Sequence, residues 1–494
     1  MLDKKGLRNM EYEPLDWETG EVISADKLNH MDQGIADIAG NALSKSESDT
    51  IQAGVQNQIA DINGYIGYTD DDIYGVEADF ANNQFTRLAA AVGLEAGSDF
   101  DSIECFGGRK RCNVTNDGVV VAYYGDAGFS ATGKLTQAID IGEQNYPIGT
   151  AVQVMVEQPK FYYKVVPLSV ENVENGQIIR KARYYISPTA KAGFKVHPAF
   201  LSGETELDKI YLSAFEGCLW DASANDYILD DAQVADFSAA VGTGDMMSSI
   251  ANAKPMSGAT QQLTRPNARI LAQNRGSGWN QSFAATVSAS EMLMIVEYAS
   301  FNMQTSIGAG VSDVTSGTGN ESVNTGSTLS LGNESGSVSS TGCVSYRGEE
   351  NFWGNIWTWT DGLNIQNPSD WTIDTTPDDK YGNLFYSNSD FADNTSESPY
   401  QDTNLHPCYG MGYISAFCYS ENCDWMFMPG ELLGNSSLPV GDYFWNRYSG
   451  WRVAKLGGIW NNGSQCGGFY WALDGASSSH GQSIGARLVY VPRI

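Results

Sequence analysis

The sequence predicts an α+β fold, with an N-terminal helical oligomerisation segment followed by one large domain of short strands that carries a β insertion. Three observations predict it. Apolar residues recur at helical spacing near the N-terminus, at Leu28, Met31, Ile35, Ile38 and Ala42, and again at Ile51, Val55, Ile59, Ile62 and Ile66. From about residue 100 onward the chain turns to runs rich in Val, Tyr and Phe bounded by Gly, Pro and Asp. The 53 glycines among 494 residues favour turn-rich β structure over long helices.

Residues 1–24 read as a polar and aromatic lead segment without regular structure, ending on Ser24, whose hydroxyl suits a helix N-cap. The stripe that follows, over 25–67, is a heptad seam interrupted by SKSESDT. A short helix with one narrow apolar stripe is weak alone. Packing against copies of itself is the preferred reading and predicts a homotrimer; packing back on the main domain is the rival. Residues 68–114 read as a connector, and 115–494 as the main domain. Within it, GVVVAYYGD, AVQVMVEQPKFYYKVVP and ARYYISP are strand words. SASEMLMIVEYASFNMQ is a helix, with Ser288 and Glu291 placed as a capping box and Met292, Ile295, Val296 and Ala299 as its buried face. Residues 305–342 are mostly Gly, Ser, Thr, Asn and Val, the composition of a flexible linker; the recurring Val and Thr favour a surface β-hairpin insertion.

Charge excludes one class of partner. With 29 Lys and Arg against 59 Asp and Glu, the formal net charge is -30, which repels nucleic-acid phosphates. No apolar run is long enough to span a membrane, and the first twenty residues lack the apolar stretch of a signal peptide. Cytosolic synthesis follows, and action outside the cell requires another route, such as lysis. The eight cysteines then default to buried thiols. His406, Cys408, Cys418 and Cys423 leave a zinc site as the disfavoured alternative, the spacing being loose. With four histidines and no nucleophile elbow, zincin or phosphate-loop motif, no enzyme, catalytic residue, cofactor or metal is expected.

The last fifty-five residues differ from the rest. Val440–Ile494 holds five Lys or Arg against two Asp or Glu, and ten aromatics amid Gly, Ser and Asn. Large rigid aromatics among small polar residues are the composition of recognition surfaces.

Two segments, YRGEENFWGNIWTWTDGLNI (346–365) and GWRVAKLGGIWNNGSQCGGFYWALDGASSSHGQSIGARLVYV (450–491), resemble the C-type-lectin-like fold in its formylglycine-generating-enzyme-like branch. With EQPKFYYKVVP and MIVEYASFNMQ included, the resemblance spans about 115–494. It makes Trp353, Trp357, Trp359, Trp460 and Trp471 core residues, and Gly457, Gly458, Gly467 and Gly468 turn residues. Arg347, Glu349, Glu350 and Arg487 are expected to pair as a buried polar lock. The branch's late cysteine pair is missing, with Cys466 alone in the tail, so its copper and oxidation chemistry is unsupported. No calcium-lectin triplet is present either.

Within that branch, the C-terminal segment resembles the variable region of proteins diversified by a retroelement, in which template adenines are copied unfaithfully. Trp445, Lys455, Gln465 and Gln482 cannot descend from such codons. The resemblance implies a ligand-binding set of Tyr443, Phe444, Asn446, Arg447, Tyr448, Ile459, Asn461, Asn462, Ala472, Asp474, Gly475, Ser479, His480, Gly481 and Ser483, within a variable region of 440–486. At the other end, DWETGEVISADKLNHMDQGI (16–35) resembles the attachment segment of tail and baseplate proteins in phages of Gram-positive hosts, with Asp32 where Glu is usual. Together the resemblances imply a phage tail-tip receptor-binding protein. Its expected partners are a bacterial surface protein or glycan and the baseplate, and its expected place is the virion. A structural baseplate protein and a surface-glycan depolymerase are the rivals.

Overall fold

Alternating apolar and polar side chains, punctuated by turn residues, build three large sheets in the computed structural model. The structure describes residues 52, 68–173, 176–230, 240–259, 262–370, 381–392 and 399–492. The chain divides into two units, Met1–Thr69 and Asp70–Ile494, and every described strand lies in the second. The attachment segment and the heptad stripe of 25–67 lie outside the described residues, apart from position 52.

The expected α+β class, led by a helical segment, is overturned. The described residues make a mostly β unit, with thirty-one strands and four α-helices. Only one of those helices, Ala284–Tyr298, exceeds nine residues. The physical reason lies in the sequence. Runs such as VQVMVEQP and GQIIRKARYYIS are β-branched and aromatic, a composition that packs well on a pleated surface.

The first sheet runs Lys195–Val196, Tyr162–Val173, Gly176–Ser187, Tyr74–Asp79, Gln84–Ala89, with Ala416–Tyr419 also pairing to Gly176–Ser187 and Pro429–Glu431 beyond it. Residues 68–114, read as a connector, thus contribute two strands to a central sheet. The second sheet runs Trp279–Gln281, Leu488–Tyr490, Lys209–Ser213, Val152–Pro159, Lys110–Thr115, Val120–Tyr123. The third runs Gln401–Asp402, Asn383–Tyr386, Trp357–Asn367, Gly450–Leu456, Trp471–Gly475, Tyr443–Asn446, Gly410–Tyr413, with Ile484–Ala486 parallel to Trp357–Asn367.

The closing IGARLVYV therefore serves two sheets, and Arg487 stands where the chain passes between them. Its guanidinium donates to the carbonyls of Asn351 (3.2 Å) and Ser213 (3.0 Å). The expected lock among Arg347, Glu349, Glu350 and Arg487 does not form. Each side chain pairs elsewhere: Arg347 with Glu297 (2.7 Å) and Glu349 with Arg109 (2.9 Å). Glu350 accepts from Gly326 N (2.7 Å), Thr328 N (2.6 Å) and Thr328 Oγ1 (2.7 Å).

The helix Ala284–Tyr298 starts four residues before the expected cap. Thr286 Oγ1 accepts from Phe283 N at 3.1 Å and closes the first turn. Ser288 sits inside the helix and donates to Trp425 O at 2.5 Å; Glu291 is buried and caps nothing. All residues from Ala284 to Glu297 are buried, so the helix is the centre of the core and has no solvent face. Residues 305–342 are not a free linker: Gly336–Ser337 pairs antiparallel with Val344–Tyr346 as a short hairpin at the end of the segment, and the rest packs down as a loop. Val311, Ser322, Thr325 and Thr328 are buried, and the Glu350 carboxylate ties the loop down from outside it.

Candidate functional site

The third sheet sorts the C-terminal residues by alternation. Along Tyr443–Asn446, Phe444 and Asn446 are fully buried, while Tyr443 and Trp445 are half-buried. The period of two on a strand sends alternate side chains to opposite faces. Phe444 joins the main core. Asn446 accepts from Asn367 Nδ2 at 2.7 Å and donates to Cys408 O at 3.2 Å.

The outer face gathers aromatics. Tyr443 packs edge-on against Tyr413 (centroids 5.1 Å) and Tyr470 (5.9 Å), and Tyr470 against Trp357 (4.6 Å). Trp357, Tyr470 and Ala472 form a small cluster, with Tyr443, Trp445, Ile459 and Ile484 half-buried around it. Lys455 Nζ lies 5.4 Å from the centroid of the Trp357 ring and 2.5 Å from Asp474 Oδ1. A cation held between a carboxylate and an indole face is fixed in place rather than swept by solvent. The Trp445 indole N–H is buried without a hydrogen-bond partner, and burial pushes the Tyr443 phenol up.

Eleven of the fifteen expected binding residues are half-buried or exposed. Tyr448, Asn461 and His480 are exposed; Tyr443, Arg447, Ile459, Asn462, Asp474, Ser479, Gly481 and Ser483 are intermediate. The remaining four, Phe444, Asn446, Ala472 and Gly475, are buried and offer no side chain to a ligand. A Cβ on Gly475 would meet the Trp359 ring at 3.0 Å. Tyr443, Ile459 and Asp474 meet on the aromatic face. Asn462 accepts from Ile459 N at 3.1 Å and shapes the turn beside it, and Asn461 Nδ2 donates to Ser316 Oγ. Ser479, His480, Gly481 and Ser483 form a separate loop against Gly258, whose N–H donates to Gly481 O at 2.9 Å. Arg447 lines a cleft that flanks this face, where Nη1 lies 3.4 Å from Met411 Sδ.

Sequence reasoning missed Trp445, Lys455, Tyr413 and Tyr470 as members of the face. The codon argument removed the first two because of how residues arise, not where they point. Reading Y-F-W-N-R with period two places Tyr443, Trp445 and Arg447 together.

Beneath the sheet lie two fully buried carboxyls. Asp442 Oδ2 accepts from Phe469 N at 2.7 Å, and its other oxygen has no partner. Glu291 is likewise fully buried, with the Trp471 indole N–H beside it opposing the effect of burial. Burial drives both acids well above the usual carboxylate range, and for Glu291 the neighbouring Asp442 adds to the rise. A third buried acid, Glu216, is pushed up to about 7 by burial, opposed by Arg487.

At the disfavoured zinc position, Cys418 Sγ donates to His406 O at 3.2 Å, and His406 Nδ1 meets Asn383 Oδ1 at 2.9 Å. Burial pushes the Cys418 and Cys423 thiols up to about 12. Among the described residues no three His, Cys, Asp or Glu side chains converge as a metal cluster.

No family model and no curated protein matches the chain. Among solved structures, the P3c, U1 and M1 variants of Major Tropism Determinant align at 12% identity, over 81% of this chain and 73% of theirs, with TM-scores of 0.24, 0.24 and 0.25. Superposition at that level supports neither a fold nor a function for this protein.

Proposed function

We propose that the chain is a phage receptor-binding protein without enzymatic activity, whose outer C-terminal face meets a ligand on the bacterial surface. One observation carries the reading: alternation along Tyr443–Asn446 sets half-buried Tyr443 and Trp445 beside Tyr413 over a buried floor of Tyr470 and Trp357, while Phe444 and Asn446 hold the strand to the core. Aromatic anchors around a fixed charged pair, Lys455–Asp474, are the composition of an interface centre. The tail-tip role and the Gram-positive host rest on the sequence resemblance of residues 16–35 and 450–491. So do diversification by a retroelement and the lectin-like ancestry. Trimerisation through 25–67 would place three such faces on one surface, where linked sites raise avidity about a hundredfold or more.

The test joins sequencing to binding. Across a population carrying the gene, codon changes are expected at the eleven accessible positions, with 444 and 446 restricted to residues of similar size and polarity. The labelled full chain is expected to bind intact cells of some strains in a Gram-positive panel, and Tyr443→Ala to lose most of that binding. Binding unaffected by Tyr443→Ala and Trp445→Ala would favour a structural role in the baseplate.

A further inference from the structure

We infer that the cleft flanking this face is a subsite for a saccharide bearing a carboxylate or phosphate group, an inference that rests on Tyr443–Asn446 being the recognition strand. The cleft measures about 570 Å³ and lies between the edge strand Gly410–Tyr413, Pro429–Glu431, and the paired strands Tyr162–Val173 and Gly176–Ser187. Three kinds of group meet there, and one ligand class answers all three.

The first is a fixed charged plate. Arg180 donates to Glu431 twice, Nη1 to Oε2 at 2.8 Å and Nη2 to Oε1 at 2.7 Å, while its Nε donates to Glu171 Oε2 at 2.7 Å. Ser415 Oγ donates to Glu431 Oε2 at 2.6 Å and holds the plate from behind. Carboxylates locked in this way accept further hydroxyl protons without losing side-chain freedom. The second is an apolar wall. Leu432 lies over two glycines, such that a Cβ at Gly410 or Gly412 would meet it at 3.2 Å, and Met411 beside it is 47% exposed. That wall suits the C–H face of a sugar ring.

The third is Arg447 at the mouth. Its guanidinium reaches only the thioether of Met411, a weak acceptor, and no carboxylate pairs with it among the described residues. In a chain of net charge -30, acids abound to neutralise a surface guanidinium, yet this one faces the cleft unmatched. A planar guanidinium beside a polyhydroxyl site selects an oxyanion.

The experiment uses the full chain and three small probes, D-glucuronate, D-glucose 6-phosphate and neutral D-glucose, with affinities read by titration calorimetry. The expected result is that one or both anions bind about tenfold tighter than glucose, the worth of one charge-assisted hydrogen bond. Arg447→Ala should erase that preference, and Arg447→Lys should keep part of it. A carboxylate source is indicated if glucuronate wins, a phosphate source if glucose 6-phosphate does. Equal affinities, no binding of any probe, or a preference that survives Arg447→Ala overturns the inference. If intact cells bind while neither anion does, the cleft subsite falls and the proposed function stands. If no cells bind, the proposed function falls whatever the calorimetry shows.

Discussion

The carboxyl group of Asp442 fills the space where a side chain on Gly467 would begin: a Cβ there would lie 1.9 Å from Oδ1. The carboxyl cannot retreat without breaking its 2.7 Å bond from Phe469 N. Gly467→Ala should therefore cost about 2–3 kcal/mol of stability, the range of an overpacked core. The neighbouring Gly468→Ala is the control. A Cβ there meets nothing closer than 3.7 Å, so its cost should stay within about 1 kcal/mol. Urea unfolding of the two variants checks the contrast, and equal midpoints would refute it.

Asp442 and Glu291 give the protein a pH dependence of unusual sign for carboxyls. Burial raises both folded-state pKa values well above the ordinary range. The folded chain therefore holds protons that the unfolded chain has released. Their stabilisation is complete below the ordinary carboxylate range and is lost as pH rises through the folded-state values. Each group contributes a slope of about 1.4 kcal/mol per pH unit in that window. Glu291→Gln and Asp442→Asn should each flatten the fall in stability as pH rises above the ordinary carboxylate range. Parallel curves for wild type and both variants would mean that neither acid is protonated in the fold.

Arg347 and Glu297 form a two-pronged pair, Nε to Oε2 at 2.7 Å and Nη2 to Oε1 at 2.8 Å. Glu297 also accepts from Tyr346 OH at 3.0 Å and Gly97 N at 3.0 Å. Arg347→Met leaves that carboxylate buried and unpaired, at an expected cost of about 3–5 kcal/mol. Adding Glu297→Gln should restore part of the loss. A double-mutant cycle with no coupling would show the pair to be incidental.

Phe444 and Tyr443 are neighbours with opposite expected phenotypes. Phe444→Ala empties a core position and should cost about 3–5 kcal/mol. Tyr443→Ala removes half-buried aromatic contacts, costs less, and should show its main effect on cell binding. Thermal melts beside cell-binding curves separate the two. Loss of binding in proportion to stability for both would remove the distinction between face and core.

Much of the sheet structure was legible because its residues leave little choice. VQVMVEQP and GQIIRKARYYIS are β-branched and aromatic runs flanked by turn residues, and they form long paired strands. What escaped depended on partners distant in sequence. The order of 305–342 comes from Glu350 and from buried Thr325 and Thr328, which no local composition announces. The helix start at Ala284 rests on Thr286 bonding back to Phe283, a residue type that gives no cap signal. Arg347, Glu349, Glu350 and Arg487 were rightly suspected of needing partners, but charge alone does not say which partners topology supplies. The candidate site was half legible. Aromatic enrichment marked the tail, whereas only strand alternation separates Tyr443 and Trp445 from Phe444 and Asn446.

The strand bearing Tyr443 and Trp445 has a hydrogen-bonded neighbour on each side, Trp471–Gly475 and Gly410–Tyr413. A face mounted this way has little motion to surrender when it docks. Encounter then proceeds without a slow ordering step, and variants of the face should reach their targets at similar rates. Their differences would be written in residence time, so that a population of such variants samples how long it stays rather than how fast it arrives.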